Sequence, residues 1–363
     1  MEIMQKARIL AESGQYDSCG PRMCEVKIQE GLGGIYNAKS EHKSCHLFKT
    51  LMTNSCAYDC KYCENARGCA KQKVSYSPDE LAKVFNHLYT NKIAEGLFLS
   101  SGIEAGNADA CTERMLEAIR ILRDKYKCGG YVHFKILPGT SYELVKQASE
   151  IATRMSINLE APSKGILDEL SSCKDYKIDI LRRQSWISKF DLKSGQTTQM
   201  IVNNLASDKD VLRMTEWEYN SLNMKRVYYS AFRPVRGTEL EHVRAEPLSR
   251  QNKLYNADFL LRDYGYKTSE IFSIMDDGML PKEDPKLAIA KATFSGPVDL
   301  NEASYEELIR VPGIGPKTAS RILDFGYIRS YSQLDMLGAT IDRAKPFIEI
   351  EGKRQMRLAE FCS

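Results

Sequence analysis

The stretch Lys49-Thr50-Leu51-Met52-Thr53-Asn54-Ser55-Cys56-Ala57-Tyr58-Asp59-Cys60-Lys61-Tyr62-Cys63 carries an apolar run followed at once by three cysteines. The run Leu47 to Met52 predicts a strand, which puts the thiols on the loop at its carboxyl end. Thiols this close in sequence can converge on one metal centre. Iron-sulfur clusters are held by Cys thiolates, usually four of them, so three leave one iron open. An open iron binds a further ligand, whereas a fully ligated cluster only passes electrons. The other reading is a structural zinc site completed by Cys69, which fits less well because zinc sites favour paired Cys-x-x-Cys units and no second pair follows.

Outward from this loop the chain alternates β-rich runs with segments of helical period. Further strands are expected at Gly96 to Ser100, Tyr131 to Leu137, Ser156 to Glu160, Thr198 to Val202 and Arg226 to Ala231. Ser77 to Glu80 form a capping box with Pro78 at the first helical position, ahead of Leu81, Val84, Phe85 and Leu88 on one face. Thr140 and Glu143 repeat that spacing before Leu144, Val145 and Ala148. Strands alternating with such helices predict parallel pairing in an α/β barrel or a doubly wound sheet, with chemistry at the carboxyl ends of the strands. Asn158 and Glu160 would share a face of the fourth strand, where inward polar groups need partners. The stretch Cys173 to Gln196 fits the alternation poorly and reads as an insertion. Residues 1–44 read as an extension packed on a barrel of residues 45–281. A proline-marked linker spans 282–297, and residues 298–363 form a small helical unit.

Composition narrows the classes. The chain has 363 residues, 43% hydrophobic and 27% charged, which excludes disorder and fibrous repeats. No apolar run approaches the roughly 20 residues of a membrane helix, and a cytoplasmic location is expected. Lys plus Arg exceeds Asp plus Glu by only three, so a polyanion partner must be argued from local motifs. The eleven cysteines are clustered, which suits metal or redox chemistry better than a disulfide scaffold. Cys19, Cys24 and Cys45 raise a second metal site, set against ordinary buried thiols.

The C-terminal segment Ser304-Tyr305-Glu306-Glu307-Leu308-Ile309-Arg310-Val311-Pro312-Gly313-Ile314-Gly315-Pro316-Lys317-Thr318-Ala319 reads as two helices around a two-glycine turn. Ser304 and Glu307 make a capping box, and the glycines are expected to supply positive φ. The free N–H groups that open the second helix would form an anion site, with Lys317 and the Thr318 hydroxyl adding to it.

The Cys-x-x-x-Cys-x-x-Cys spacing, with Tyr62 before the last cysteine, resembles the signature of the radical S-adenosylmethionine (radical SAM) superfamily. The resemblance implies a partial (β/α)6 barrel and a [4Fe-4S] cluster on Cys56, Cys60 and Cys63. It further implies S-adenosyl-L-methionine on the open iron, a low-potential electron donor, and hydrogen abstraction by a 5′-deoxyadenosyl radical. Ser100-Ser101-Gly102 resembles the segment that holds the methionyl amino group, and the family suggests cofactor contacts at Tyr62, Asn158 and Glu160. The C-terminal segment closely resembles a helix-hairpin-helix, which grips the DNA backbone without reading bases. That resemblance assigns nucleic-acid contacts to Gly313, Ile314, Gly315, Lys317 and Thr318, with protein docking as the alternative. Together with Gly96 to Gly102, Gly130 to Lys135, Gly195 to Val202, Arg226 to Phe232 and Asp284 to Ala288, these features resemble one family. It is that of DNA modification or repair radical SAM proteins with a C-terminal helix-hairpin-helix. The expected activity is radical chemistry on DNA. The alternatives are RNA or nucleotide modification, and a DNA-binding iron-sulfur sensor without turnover.

Overall fold

In the computed structural model, which describes residues 1–15, 24–25, 33–39, 44–350 and 353–354, the chain divides into two units. One comprises residues 1–206 and 217–251, the other residues 207–216 and 252–363.

The first unit opens with helix α1 (Ile3–Ser13) and strands β1 (Cys24–Glu25) and β2 (Ile35–Lys39). Both strands pair antiparallel, so the N-terminal extension lengthens the sheet that begins with β3 (Ser44–Leu51). Gly34 has to be glycine here. Its φ is +86°, and a Cβ would lie 2.6 Å from that of Ala11 and 2.9 Å from the Lys49 carbonyl.

After β3 come β4 (Gly96–Ser100), β5 (Tyr131–Lys135), β6 (Arg154–Ser156), β7 (Gln196–Val202) and β8 (Arg226–Ala231), each parallel to its predecessor. Parallel neighbours in chain order require a crossover between each pair. Helices α2 (Pro78–Thr90), α3 (Ala108–Asp124), α4 (Tyr142–Ile151), α5 (Lys164–Leu170), α6 (Arg182–Ile187) and α7 (Asp208–Leu222) fall between the strands. The result is a mixed α/β fold with a curled half-barrel sheet, the expected partial (β/α)6 barrel. Every residue of β4 and β7 is buried, as expected of parallel strands covered on both faces. The expected capping box at Ser77 is present: Ser77 N donates to Glu80 Oε2 at 2.8 Å, and Glu80 N donates to Ser77 Oγ at 3.2 Å.

Three local expectations are corrected. The fourth strand is Arg154–Ser156, not Ser156 to Glu160. Beyond it, Leu159 and Glu160 both donate to the Gln199 carbonyl, and Glu160 adopts φ +67°, which no regular strand permits. Asn158 and Glu160 therefore do not share a strand face. Cys173 to Gln196 is not an insertion. It holds a π-helical turn (Tyr176–Leu181) and α6, the connection into β7, and a π turn breaks the 3.6-residue period. The cap of α4 is Ser141, because the Thr140 hydroxyl instead donates to the Leu137 carbonyl at 2.8 Å.

The second unit contains the first part of α7 (residues 208–216) and the later part of α8 (Leu248–Asp263), then α9 (Thr268–Phe272) and α10 (Pro285–Thr293). The expected linker 282–297 thus carries a helix, whose Leu287 and Ala290 join the apolar core of this unit. Strand β9 (Val298–Asp299) precedes α11 (Tyr305–Leu308), α12 (Pro316–Phe325), α13 (Tyr331–Met336) and α14 (Ile341–Ala344), and β10 (Ile348–Ile350) and β11 (Lys353–Arg354) follow. A small three-stranded sheet therefore closes a unit expected to be all helical. Leu308, Val311, Ile314, Ala319, Ile322, Leu334 and Phe347 form its core.

Candidate functional site

The cysteine loop leaves the sheet where β3 ends and is closed by one side chain. Asn54 Nδ2 donates to the Gln72 carbonyl at 2.9 Å, and its Oδ1 accepts from Val74 N at 2.7 Å. The loop after β4 lies directly against it. Ala57 N donates to the Ile103 carbonyl at 2.8 Å, Ile103 N donates to Cys56 Sγ at 3.4 Å, and Gly102 N donates to the Thr53 carbonyl at 2.7 Å. A Cβ on Gly102 would stand 2.4 Å from the Ser55 carbonyl oxygen, so only glycine allows this approach. Gly102 thus shapes the cysteine loop. Ser100 ends β4 opposite Leu51 and accepts from Met52 N at 2.8 Å, and the Ser101 hydroxyl donates to the Gly102 carbonyl.

The far side of the loop is held by the segment after α5. Lys61 N donates to the Leu170 carbonyl at 2.9 Å. The Asp59 carboxylate accepts from Ser171 Oγ at 2.7 Å, from Ser172 N and Oγ, and from Cys173 N at 3.2 Å. Burial alone would raise its pKa, but these donors hold it well below the carboxylate range. Next in the chain is Lys174, whose Nζ donates to Tyr62 Oη at 3.1 Å and to Glu160 Oε1 at 3.3 Å. The left-handed backbone at Glu160 is what brings its carboxylate back to this ammonium. Burial disfavours the charge on Lys174, yet Cys60, Glu160 and Cys63 keep its pKa above the usual lysine value.

Burial pushes Cys63 up to about 12, with neighbouring Cys60 adding to the rise. Burial likewise raises Cys56, against the opposing N–H groups of Ile103 and Tyr58. Among the described residues no group of three or more His, Cys, Asp or Glu side chains is drawn close enough to hold a metal as it stands. The donor set nevertheless fits an iron-sulfur cluster: three thiols on one loop, a backbone N–H aimed at sulfur, and a buried ammonium beside them. Cys69 points elsewhere, toward the carbonyls of Cys63 at 3.6 Å and Gly237 at 3.3 Å. The Cys45 thiol is pushed up to about 11 by burial and by Glu95, while Cys19 and the side chain of Cys24 lie outside the described residues.

The structure therefore joins Tyr62 and Glu160 through Lys174, which lies in the stretch expected to be an insertion. Asn158 is elsewhere. It lines a small pocket along the sheet with Phe98, His133, Ser156, Gln199 and Tyr228. His133, assigned nothing from sequence, shares a 2.8 Å hydrogen bond with Ser156 Oγ and meets the Phe98 ring edge-on at 4.4 Å. Burial, reinforced by Arg154, Lys135 and Lys49, lowers its pKa well below the usual value, so the ring is neutral.

In the second unit, Gly313 takes φ +86°, and its Cβ would stand 2.4 Å from the Thr340 carbonyl oxygen. Gly315 does not use positive φ, contrary to expectation. At φ −103° it is the N-cap of α12, which has no side-chain cap and begins at Pro316. Lys317 is exposed and Ile314 is buried in the core. The Thr318 hydroxyl donates to the Gly338 carbonyl at 3.1 Å, so it braces the fold rather than adding to an outward anion site. Gly338, at φ +96°, belongs to a second hairpin formed by α13 and α14. Its sequence signal was present: Ser304-Tyr305, Leu308 and Val311 recur at the same spacing as Ser330-Tyr331, Leu334 and Leu337.

No curated protein matches the chain. Among solved structures it is similar to HydG, a maturase of the [FeFe]-hydrogenase, at 12% identity and TM-score 0.47 over 59% of this chain and 49% of that one. It is similar to methylornithine synthase (PylB) at 12% identity and TM-score 0.47, over 59% and 61% of the two chains. A radical SAM methyltransferase from Sphaerobacter thermophilus follows at 11% identity and TM-score 0.45, over 65% and 74%. The chain thus spans about half the length of HydG and about three-fifths of PylB. Residues 297–325 match the helix-hairpin-helix motif family, so the C-terminal unit carries that motif.

Proposed function

We propose that this chain is a radical SAM enzyme that acts on DNA, with Cys56, Cys60 and Cys63 holding a [4Fe-4S] cluster. One observation carries the reading: three thiols on a braced loop at the carboxyl end of the first parallel strand, beside a buried ammonium. Together the bound cluster and S-adenosyl-L-methionine supply a 5′-deoxyadenosyl radical for hydrogen abstraction. Gly102 and the Ser100-Ser101 turn form the wall of the site nearest Cys56, where the methionyl amino group would sit. Tyr62, Lys174 and Glu160 are joined to one another beside Cys60 and Cys63, where the cofactor contacts expected of Tyr62 and Glu160 would be made. The helix-hairpin-helix supports DNA as the substrate class, because free N–H groups at a helix start suit a phosphate backbone. A low-potential donor supplies the electron, and a cytoplasmic location follows from that chemistry.

Anaerobically purified protein is expected to carry iron and sulfide, to bind S-adenosyl-L-methionine, and to release 5′-deoxyadenosine with reductant. A Cys56→Ala/Cys60→Ala/Cys63→Ala variant loses all three properties, whereas Cys69→Ala keeps them. Stoichiometric zinc without sulfide in the wild type, or iron loss in Cys69→Ala, overturns the assignment. Iron and sulfide without 5′-deoxyadenosine would favour the sensor.

A further inference from the structure

The stretch Asp284-Pro285-Lys286-Leu287-Ala288 opens α10 with a strong start signal. Asp284 Oδ1 accepts from Leu287 N at 3.1 Å, its Oδ2 pairs with Arg343 at 3.1 Å, and Pro285 takes the first helical position. Lys286 then points the unusual way. It is only 8% exposed, its Nζ donates to the Ile314 carbonyl at 2.5 Å, and it lies 4.5 Å from the centroid of the Tyr264 ring. Burying an ammonium is costly, so a surface-length lysine turned inward calls for a reason.

That reason is the turn it holds. Ile314 immediately precedes Gly315, the N-cap from which α12 starts. Gly315 passes beside the same tyrosine, since a Cβ there would lie 3.3 Å from Tyr264 Oη. On the other side, Thr340 N donates to the Gly313 carbonyl at 2.9 Å. The carbonyls of Gly313 and Ile314 are both held from within the protein, and the first N–H groups of α12 have no partner within their own helix and no side-chain cap, so they suit an outside acceptor.

We propose that Lys286 is a positioning residue for the phosphate grip of the first hairpin, holding its turn from behind and lending the helix start a positive charge. This rests on the reading of the hairpin as a DNA contact. Burial, reinforced by Arg343 of α14 and opposed by Asp284 of its own helix, brings the Lys286 pKa down to about 7. Among the described residues, the turn faces it with a neutral carbonyl and the chain after α8 with the Tyr264 ring. The charge is therefore present below neutral pH and withdrawn above it, so the grip weakens as pH rises through about 7.

The test measures affinity of the full chain for a short DNA duplex, from about pH 6 to about pH 8.5, beside hydrogen exchange at the Ile314 and Ala319 amides, which donate to the Val311 and Gly315 carbonyls at 3.1 and 2.8 Å. Wild type is expected to lose about fivefold in affinity across that range, the effect of one charge near a phosphate at intermediate screening. Lys286→Met should bind at the weaker level throughout, with faster exchange at both amides. Lys286→Arg keeps a charge that does not titrate, so it should bind more tightly than Lys286→Met without the pH step. Circular dichroism checks that each variant is folded. A Lys286→Met variant that keeps the wild-type pH step overturns the proposal. If no form binds DNA, the hairpin reading fails. In that case, unchanged exchange in Lys286→Met also removes Lys286 as the element holding the turn, and faster exchange preserves that part alone.

Discussion

Replacing Lys174 with Met is the most informative single change in the first unit. The ammonium and the Glu160 carboxylate are 3.3 Å apart, with side chains 7% and 9% exposed. Removing one partner of a buried pair leaves the other charge without compensation, which typically costs about 3–5 kcal/mol. Tyr62 also loses the donor to its hydroxyl, which adds a smaller amount of the same sign. Glu160→Gln should cost a comparable amount, because it leaves the ammonium buried instead. The double variant Lys174→Met/Glu160→Gln removes both charges, so it should be less damaged than the sum of the singles by about 2 kcal/mol or more. Urea unfolding of the cluster-free protein measures all four corners of this cycle. Tryptophan fluorescence isolates the relevant transition, since both tryptophans, Trp186 and Trp217, lie in the first unit. Additive single effects, or a Lys174→Met cost below about 1 kcal/mol, would refute the buried pair as a brace of the cysteine loop.

Glu218 is fully buried, and burial raises its pKa to about 8 against the opposing contact with Gln184. Its folded pKa lies above the unfolded value of 4.5, so the folded state holds the extra proton and stability falls as pH rises from about 4.5 to about 8. Glu218→Gln should therefore stabilise the protein by about 3 kcal/mol at neutral pH and by little near pH 4, read from urea midpoints. An equal gain at both pH values would exclude the linkage. Gly102→Ala should sharply reduce iron per chain after reconstitution, because the new Cβ meets the Ser55 carbonyl at 2.4 Å, and full loading would contradict this. Gly313→Ala should lower the melting temperature of the full chain far more than Gly315→Ala. Only Gly313 combines positive φ with a backbone oxygen at 2.4 Å, and equal effects would falsify that distinction.

Much of the barrel was legible because its signals are local and repeated. Capping at Ser77 and six β-rich runs separated by helical periods point to parallel pairing but leave a barrel and a doubly wound sheet open, and the sequential strand order decides for the barrel. The cysteine loop was legible for a similar reason, since its three thiols lie within a few residues of one another. What the chain order hid were partners distant in sequence. Asp59 is held by Ser171, Ser172 and Cys173, more than a hundred residues away. Lys174 reaches Tyr62 from the same remote segment, which lost its helical signature to a π turn. Gly102 was picked out as a cofactor contact, yet its measurable role is steric.

The slipped fourth strand shows how these omissions are connected. Had Ser156 to Glu160 continued as a strand, Asn158 and Glu160 would both face the barrel interior. Instead the Thr198 hydroxyl donates to the Ile157 carbonyl at 2.8 Å and accepts from Leu159 N at 3.0 Å, so a side chain replaces part of the backbone ladder. The chain then turns through the left-handed region at Glu160 and pairs again with β7, where Ile201 N donates to the Glu160 carbonyl at 2.8 Å. One local departure thereby separates two polar residues, leaving Asn158 at the pocket lined by His133 and Tyr228 and sending Glu160 to Lys174 beside the cysteine loop. A non-glycine residue at positive φ costs about 1–2 kcal/mol, and it is held here by surrounding contacts that include the Glu160 backbone bonds to β7 and the pair with Lys174. Restoring an easier backbone with Glu160→Gly would relieve the strain but remove the carboxylate. Loop bracing and backbone ease are thus opposed at this position, and the fold has settled on the brace.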